Sequence, residues 1–143
     1  MPEMEGYRFS LPRSVEFRDI DVAGHVNNAV YLTYLETARI AYLCEALGAD
    51  FAYEISLILA HISVDFRSPA RFPETLAMTA RVPRVGTKSF DMEHEIRGED
   101  DRLVLEASSV LVAYDYAANE PIPVSEDWRS RLEAYEERSS VPS

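Results

Sequence analysis

The sequence has one cysteine and no long apolar run, and both shortages exclude classes of protein. Because Cys44 stands alone, the chain can form neither an intrachain disulfide nor a thiolate metal cluster. Its position in a helical pattern favours a packed thiol over a reactive one. The longest apolar stretch, residues 55–62, is interrupted by Ser56 and His61 and is far shorter than the roughly 20 residues of a membrane span. The N-terminus lacks a signal-peptide pattern, so we expect a soluble cytoplasmic protein.

Basic residues are scarce as well. The chain has 14 lysines and arginines against 25 acidic residues, a net charge of −11, which argues against nucleic acid or an anionic membrane as the main partner. Half of the basic residues nevertheless lie in one stretch: Arg67, Arg71, Arg81, Arg84, Lys88, Arg97 and Arg102. They could form a local anion site or cover solvated strand faces, and the sequence leaves both interpretations open. No phosphate-binding glycine loop accompanies them.

The composition is otherwise that of a globular protein. A chain of 143 residues, 47% hydrophobic and 27% charged, is long enough for one domain with a real core and too short for two ordinary ones. No repeat or linker divides it, so we expect residues 1–143 to form a single domain.

One stretch has the pattern of a long helix. Between residues 29 and 47, apolar residues recur at spacings of three and four, which predicts a helix with a broad apolar face. Asn27 or Asn28 can cap its start, because a short side-chain carbonyl accepts from the first free amides. Gly48 is placed to end it.

The remaining elements up to residue 115 have the period-two pattern of strands. Residues 7–18 predict a first strand with Phe17 on its buried face and a break at Pro12. A second strand begins near Glu54, and its N-terminal half is apolar on both faces. Three further strands are predicted over residues 75–85, 89–97 and 103–115.

These elements predict an α+β architecture. Ser125, followed by two acids, starts a short C-terminal helix. An antiparallel five-stranded sheet with one apolar face must cover that face, and the helix over residues 29–47 is the only large element available. We therefore expect the sheet to wrap around a long central helix. Apolar residues on both faces of some strands also predict pairing with a second subunit.

The loop before the helix holds the candidate catalytic groups. It contains Asp19, Asp21, Gly24, His25, Asn27 and Asn28. The first amides of a helix are unpaired and lie at the positive end of its dipole, so they can stabilise charge that develops on a carbonyl oxygen. Asp21 is the nearest candidate to act on the same carbon. Asp19, two residues earlier, could support Asp21 or be a solvated turn residue.

A longer motif around this loop resembles a known family. The run D-x-D-x-x-G-H-V-N-N-x-x-Y-L-x-Y-x-E-x-A-R, from Asp19 to Arg39, resembles the signature of hotdog-fold acyl-CoA thioesterases of the 4-hydroxybenzoyl-CoA thioesterase type. The segments VDFRSPARFPETL, RVGTKSF and RLVLEASSVLVAYD are similar to strand sections of that family. The resemblance implies the hotdog fold and hydrolysis of an acyl-CoA thioester to a carboxylic acid and free coenzyme A. It also implies a homodimer or homotetramer with sites between subunits, and no cofactor beyond the coenzyme A of the substrate.

The resemblance further implies roles for particular residues. Asp21 matches the family's carboxylate, which acts as nucleophile or as general base for water. The backbone amide of Asn28 matches the donor that polarises the thioester carbonyl, and Gly24 lies in the glycine step at the mouth of the helix, where substrate binds. A hairpin near the neighbouring subunit's cofactor channel supplies the candidates for the coenzyme A phosphates: Arg84, Lys88 and Ser89.

Several alternatives stay open. His25 could contact substrate, hold Asp21, transfer a proton or simply bridge the loop. His61 and His94 fall on strand patterns and are interpreted as core or interface residues, and no two of the three histidines have helical spacing for zinc. Glu36 on the helix suits packing and ion pairing better than catalysis. A non-catalytic hotdog module that binds acyl-CoA or a protein partner is the alternative function.

Overall fold

The computed structural model describes residues 6–48 and 56–140, without the side chains of residues 138–140. The elements in chain order are β1 (Phe9–Ser14), α1 (Asn28–Leu47), β2 (Leu57–Phe66), β3 (Thr75–Val85), β4 (Ser89–Arg97), β5 (Leu103–Asp115), β6 (Glu120–Pro121) and α2 (Glu126–Ser140). Five strands form one antiparallel sheet in the order β1-β3-β4-β5-β2, and the two-residue β6 pairs with β5. The predicted α+β architecture is confirmed, and β6 is an addition to it. In the described ranges, no helix has the length and apolar character needed to span a membrane.

Both ends of α1 are fixed by the residues that the sequence indicates. The side chain of Asn27 accepts a 2.8 Å hydrogen bond from the amide of Ala29, so Asn27 is the cap and Asn28 is the first helical residue. Gly48 has a φ of +65° and its amide donates to the carbonyl of Cys44, which ends the helix in the left-handed conformation that glycine tolerates. The face of α1 turned to the core carries Tyr31, Tyr34, Leu35, Ala38, Arg39, Tyr42, Leu43 and Leu47.

The first strand is shorter and more regular than predicted. It continues through Pro12, which stands opposite Ala77 of β3. The predicted break is therefore wrong, because β1 is an edge strand and an edge tolerates a residue without an N–H. Residues 17–19 form a 3₁₀ turn instead of extending the strand. Phe17, expected to be buried, is 73% exposed.

The second strand differs from its prediction as well. It lies at the other edge of the sheet, and both Leu59 and Phe66 are at least 40% exposed. The expectation that its N-terminal half is buried on both faces is wrong for the single chain, because α1 lies against β1 and β3. His61, predicted to be a core or interface residue, is exposed on this edge. Residues 54 and 55 lie outside the described residues.

The core is apolar towards both ends of α1. An N-terminal cluster contains Tyr34 and Leu105, and a C-terminal cluster contains Tyr42 and Leu111 together with Leu132 of α2. The two clusters are separated by buried polar side chains, which are Arg39, His94 and Ser109. The predicted burial of His94 is confirmed.

Candidate functional site

The segment before α1 folds into a small closed loop. Ile20 and Val26 form an isolated antiparallel bridge, and inside it the amide of Asp21 donates to the carbonyl of His25 at 2.8 Å. The amide of Gly24 donates to the carbonyl of Asp21 at 3.0 Å. Gly24 has a φ of +82°, a conformation that side chains disfavour, so glycine suits this turn.

The carboxylate of Asp21 is held by one oxygen. Its Oδ1 accepts hydrogen bonds from the amides of Ala23, at 2.9 Å, and His25, at 3.3 Å. Oδ2 has no hydrogen-bond partner among the described residues, and the side chain is exposed. The loop therefore orients the carboxylate and leaves one oxygen available to act as a base or a nucleophile.

The amide of Asn28 is the first of α1. Asn27 accepts from the next amide, that of Ala29, and its carbonyl accepts from Val30. Among the described residues the amide of Asn28 has no acceptor. It is therefore a free donor at the positive end of the helix dipole.

Asp19 has a role that the sequence does not reveal. It is 7% exposed, and its Oδ2 accepts from the hydroxyl of Tyr34 at 2.6 Å and from the amide of Glu16 at 2.9 Å. Burial opposes ionisation, but these hydrogen bonds outweigh it and lower the pKa of Asp19. The prediction of a solvated turn residue is therefore wrong. Asp19 makes no hydrogen bond to Asp21 and supports its loop instead through Tyr34 and the amide of Glu16. The 3₁₀ turn points its side chain into the core.

The loop also rests on the segment between β2 and β3. The amide of Val26 donates to the carbonyl of Ala70 at 2.9 Å, and His25 forms a bridge with Arg71. The amide of Ala70 in turn donates to the hydroxyl of Tyr31 at 3.2 Å. These contacts of His25 are made by its backbone, and its imidazole has no hydrogen-bond partner among the described residues. The ring is half-buried and available to a substrate.

The structure brings together four predicted site residues but not the other three. Asp21, Gly24, His25 and Asn28 share the closed loop and the helix start. Arg84, Lys88 and Ser89 lie at the other end of α1, where the hairpin between β3 and β4 packs against α2 through Arg129, whose Nη2 donates to the carbonyl of Gly86. A helix of 20 residues is about 30 Å long. One chain therefore cannot place both groups around one thioester.

Most basic residues of the arginine-rich stretch are engaged in ion pairs. Arg67 pairs with Glu106 and Arg81 with Glu93, in each case at 2.8 Å or less. Arg84 lies 3.6 Å from Asp91. Lys88 is exposed and has no ion pair with any described residue. The interpretation as solvated strand faces fits most of the stretch. Arg71 is exposed and without an ion pair to a described residue as well, so Lys88 and Arg71 are the two cations of the stretch free to meet an external anion.

No metal site is apparent in the part of the chain that the structure describes, where no three His, Cys, Asp or Glu side chains could hold an ion. Glu36 is exposed on α1, away from the core-facing side. At the closed loop the chain presents one oriented carboxylate, one free amide donor and the half-buried imidazole of His25.

Comparison with known proteins gives consistent matches. Residues 15–132 match the family model described as the thioesterase-like superfamily. The long-chain acyl-CoA thioesterase FadM of Escherichia coli (strain K12) is 28% identical over 117 residues, which cover 80% of this chain and 89% of that protein.

Two solved structures extend the match to the fold. A thioesterase from Thermus thermophilus, crystallised with coenzyme A and Zn, is 33% identical with a TM-score of 0.86, over 94% of this chain and 98% of that one. The PA5185 protein of Pseudomonas aeruginosa strain PAO1 is 30% identical with a TM-score of 0.80, over 91% and 92% of the two chains. The predicted hotdog fold is confirmed.

Proposed function

Because this chain belongs to the thioesterase-like superfamily and is a thioester hydrolase, we propose that it hydrolyses acyl-CoA esters with Asp21 and the amide of Asn28. The observation that carries the proposal is the pairing, in one closed loop, of a carboxylate with a free Oδ2 and a helix-start amide with no acceptor among the described residues. The coenzyme A in the Thermus thermophilus structure and the acyl-CoA activity named for FadM support this class of substrate.

The reaction needs few groups. The thioester carbonyl oxygen accepts from the amide of Asn28, which stabilises the negative charge that develops when the carbon is attacked. Asp21 either removes a proton from the attacking water or attacks directly, forming an anhydride that water then hydrolyses. In the general-base route the carbon–sulfur bond breaks as the tetrahedral intermediate collapses, and the sulfur takes the proton that Asp21 removed from water. In the nucleophilic route the bond breaks as the anhydride forms, and the thiolate takes a proton from solvent. Either route releases a carboxylic acid and free coenzyme A. A thiol leaves readily, so no stronger acid catalyst is required.

His25 completes the proposed site in a supporting role. Its backbone is fixed by Asp21 and Arg71, while its half-buried ring stays free to contact substrate. Gly24, beside it, leaves room next to the carboxylate because nothing lies within 4 Å of the position a Cβ would take. We assign both residues to substrate positioning.

A second copy of the chain supplies the coenzyme A contacts in this proposal. The exposed edge of β2 offers unpaired backbone groups and apolar side chains. Its Phe66 end lies near the start of α1, since Phe66 packs 5.7 Å from the ring of Tyr31. Its Leu57 end is level with the hairpin, since Leu57 pairs with Ala113, whose amide donates to the carbonyl of Lys88.

Antiparallel pairing of two β2 edges therefore places the loop of one subunit beside the hairpin of the other. Arg84, Lys88 and Ser89 of the partner then face a coenzyme A bound at Asp21. Either a homodimer or a homotetramer of such dimers fits this geometry. The 4-hydroxybenzoyl-CoA thioesterase type and a cytoplasmic location are further parts of the proposal.

The test is release of free thiol by the wild-type protein from aromatic, short, medium and long acyl-CoA esters. We expect turnover of at least one class of ester. We also expect the activity per subunit to fall when dilution dissociates the dimer. The alternative, a non-catalytic hotdog module, gives saturable acyl-CoA binding without thiol release from any of the esters. That result would overturn the proposal.

A further inference from the structure

A layer of polar side chains crosses the core halfway along α1. It consists of Arg39 on α1, His94 on β4 and Ser109 on β5, which are 8%, 1% and 2% exposed. On β4, His94 is flanked by Met92 of the C-terminal cluster and Ile96 of the N-terminal cluster. Burying polar groups costs stability unless they are paired. Ser109 donates to the carbonyl of Met92, so the partners of Arg39 and His94 are the question that the layer poses.

Two atoms of the layer lack a partner among the described residues: Nε of Arg39 and Nε2 of His94. The Nδ1 of His94 lies 2.8 Å from the carbonyl of Thr79, and because a carbonyl only accepts, Nδ1 carries the proton. Burial lowers the pKa of His94 to about 4, helped by the charge of Arg39. The ring is therefore neutral near pH 7, and its Nε2 is an acceptor.

The unpartnered atoms are thus a donor and an acceptor. The N–H at Nε of Arg39 can only donate, and Nε2 of the neutral His94 can only accept. A carboxylate would satisfy Arg39 alone, whereas a hydroxyl group accepts from Arg39 and donates to His94 at the same time. The chemistry of the layer therefore fits a hydroxyl.

An apolar strip leads to this layer from the start of α1. The inner face of β2 carries Phe66, Val64 and Ile62, of which Val64 and Ile62 are half-buried and pack on the N-terminal cluster. Phe66 lies beside Tyr31, and Ile62 stands opposite Ser109 in the sheet register. The strip therefore begins near the proposed catalytic loop and ends level with the polar layer.

The length of this path suits an acyl chain. From Phe66 to Ile62 a strand advances about 13 Å, and from Asn28 to Arg39 a helix advances about 16 Å. Both distances are comparable with an extended acyl group of medium length whose carbonyl lies at Asn28.

We propose that Arg39 and His94 are specificity-determining residues that bind a hydroxyl group near the far end of a medium-length acyl chain. This inference rests on the proposed thioesterase function. The hydroxyl accepts from Nε of Arg39 and donates to Nε2 of His94, while a plain alkyl chain of the same length leaves both atoms unpaired. A site built to hydrogen-bond a hydroxyl discriminates strongly against the analogue without it.

The test compares ω-hydroxydodecanoyl-CoA with dodecanoyl-CoA as substrates. We expect kcat/KM of the wild-type protein to be at least ~10-fold higher for the hydroxylated ester. Arg39→Met removes the donor. His94→Asn is shorter and removes the acceptor at the Nε2 position, while its amide N–H can still reach the carbonyl of Thr79. Each change is expected to abolish the preference by lowering kcat/KM for the hydroxylated ester only. Arg97→Met, on the outer face of the sheet, is the matched control and keeps the preference.

The possible results separate the two proposals. Equal kcat/KM for the two esters, and for the matching decanoyl and tetradecanoyl pairs, would overturn this inference and leave thioesterase function intact. A preference that survives both Arg39→Met and His94→Asn would also overturn it. Failure of every ester to release thiol would overturn the proposed function itself. Thermal unfolding of each variant, with Arg39→Lys as a milder change, separates loss of preference from loss of fold.

Discussion

The hydroxyl of Tyr34 donates a 2.6 Å hydrogen bond to the buried carboxylate of Asp19, and this bond joins the second turn of α1 to the loop before it. The carbonyl of Asp19 also accepts from the amide of Asn27, at 3.0 Å. Asp19 therefore fixes the cap of the helix and the start of the loop at once. The geometry between Asp21 and Asn28 depends on a side chain that takes no part in the proposed reaction.

Tyr34→Phe tests this dependence. The change removes one donor from a buried carboxylate, which is expected to lower the free energy of unfolding by ~1–3 kcal/mol and to reduce kcat. Urea denaturation and thiol-release assays measure the two effects. Tyr114→Phe is the control, because the exposed hydroxyl of Tyr114 bonds only to Asn119 among the described residues. Equal stability of the two variants would contradict the role given to Asp19.

Asp21→Asn tests the proposed carboxylate. Asparagine can still accept from the amide of Ala23, so the loop and the melting temperature are expected to be retained. Loss of a base or nucleophile is expected to lower kcat by ~100- to 10,000-fold. Asp127→Asn, an exposed change on α2, is the matched control and should leave hydrolysis unaltered. Full activity of Asp21→Asn would remove Asp21 from the mechanism.

Asn28 offers a test of a backbone donor. Asn28→Ala keeps the amide and is expected to keep kcat. Asn28→Pro removes it at the first helical position, where proline is well tolerated, and is expected to lower kcat by ~100- to 1,000-fold. Circular dichroism checks that α1 still forms. Similar kcat values for the two variants would show that the oxyanion is stabilised elsewhere.

Lys88→Met tests the proposed contact with coenzyme A. Loss of one exposed ion pair with a phosphate is expected to raise KM for acyl-CoA about fivefold, equivalent to ~1 kcal/mol. The same acyl group on N-acetylcysteamine has no phosphates, so its KM should not change. A parallel rise in KM for both thioesters would instead indicate a distorted acyl site.

His94 predicts a pH dependence of stability. Its pKa is lowered from 6.5 to about 4 in the folded protein, so the unfolded chain binds the proton more readily. The stabilisation is fully present above pH 6.5 and is lost as the pH falls towards 4, by ~3 kcal/mol in total. Urea denaturation at a series of pH values across this range should show that the free energy of unfolding depends less on pH for His94→Asn than for the wild-type protein. The same pH dependence of stability in both proteins would contradict the lowered pKa of His94.

The sequence was sufficient to predict what depends on local pattern. The spacing of apolar residues between Asn27 and Gly48 predicts α1 and both of its ends. The alternation of apolar and polar residues along β3 and β4 predicts their buried faces. Asp21 and Asn28 could be paired because they are close in sequence and lie on one loop.

What could not be predicted depends on contacts between distant segments. The 3₁₀ turn that buries Asp19 is fixed by Tyr34, and the edge position of β2 follows from strand order. The polar layer joins α1, β4 and β5, so its members are 15 or more positions apart and share no motif. The distance between the loop and Lys88 is a property of the whole domain.

The uncovered edge of β2 also makes the stability of this protein depend on its concentration. If two such edges close on each other, association and folding are linked, and the midpoint of thermal unfolding rises with protein concentration. A lone subunit, with its ladder open, is the species most prone to aggregate. Dilution should then act on this protein as a mild denaturant.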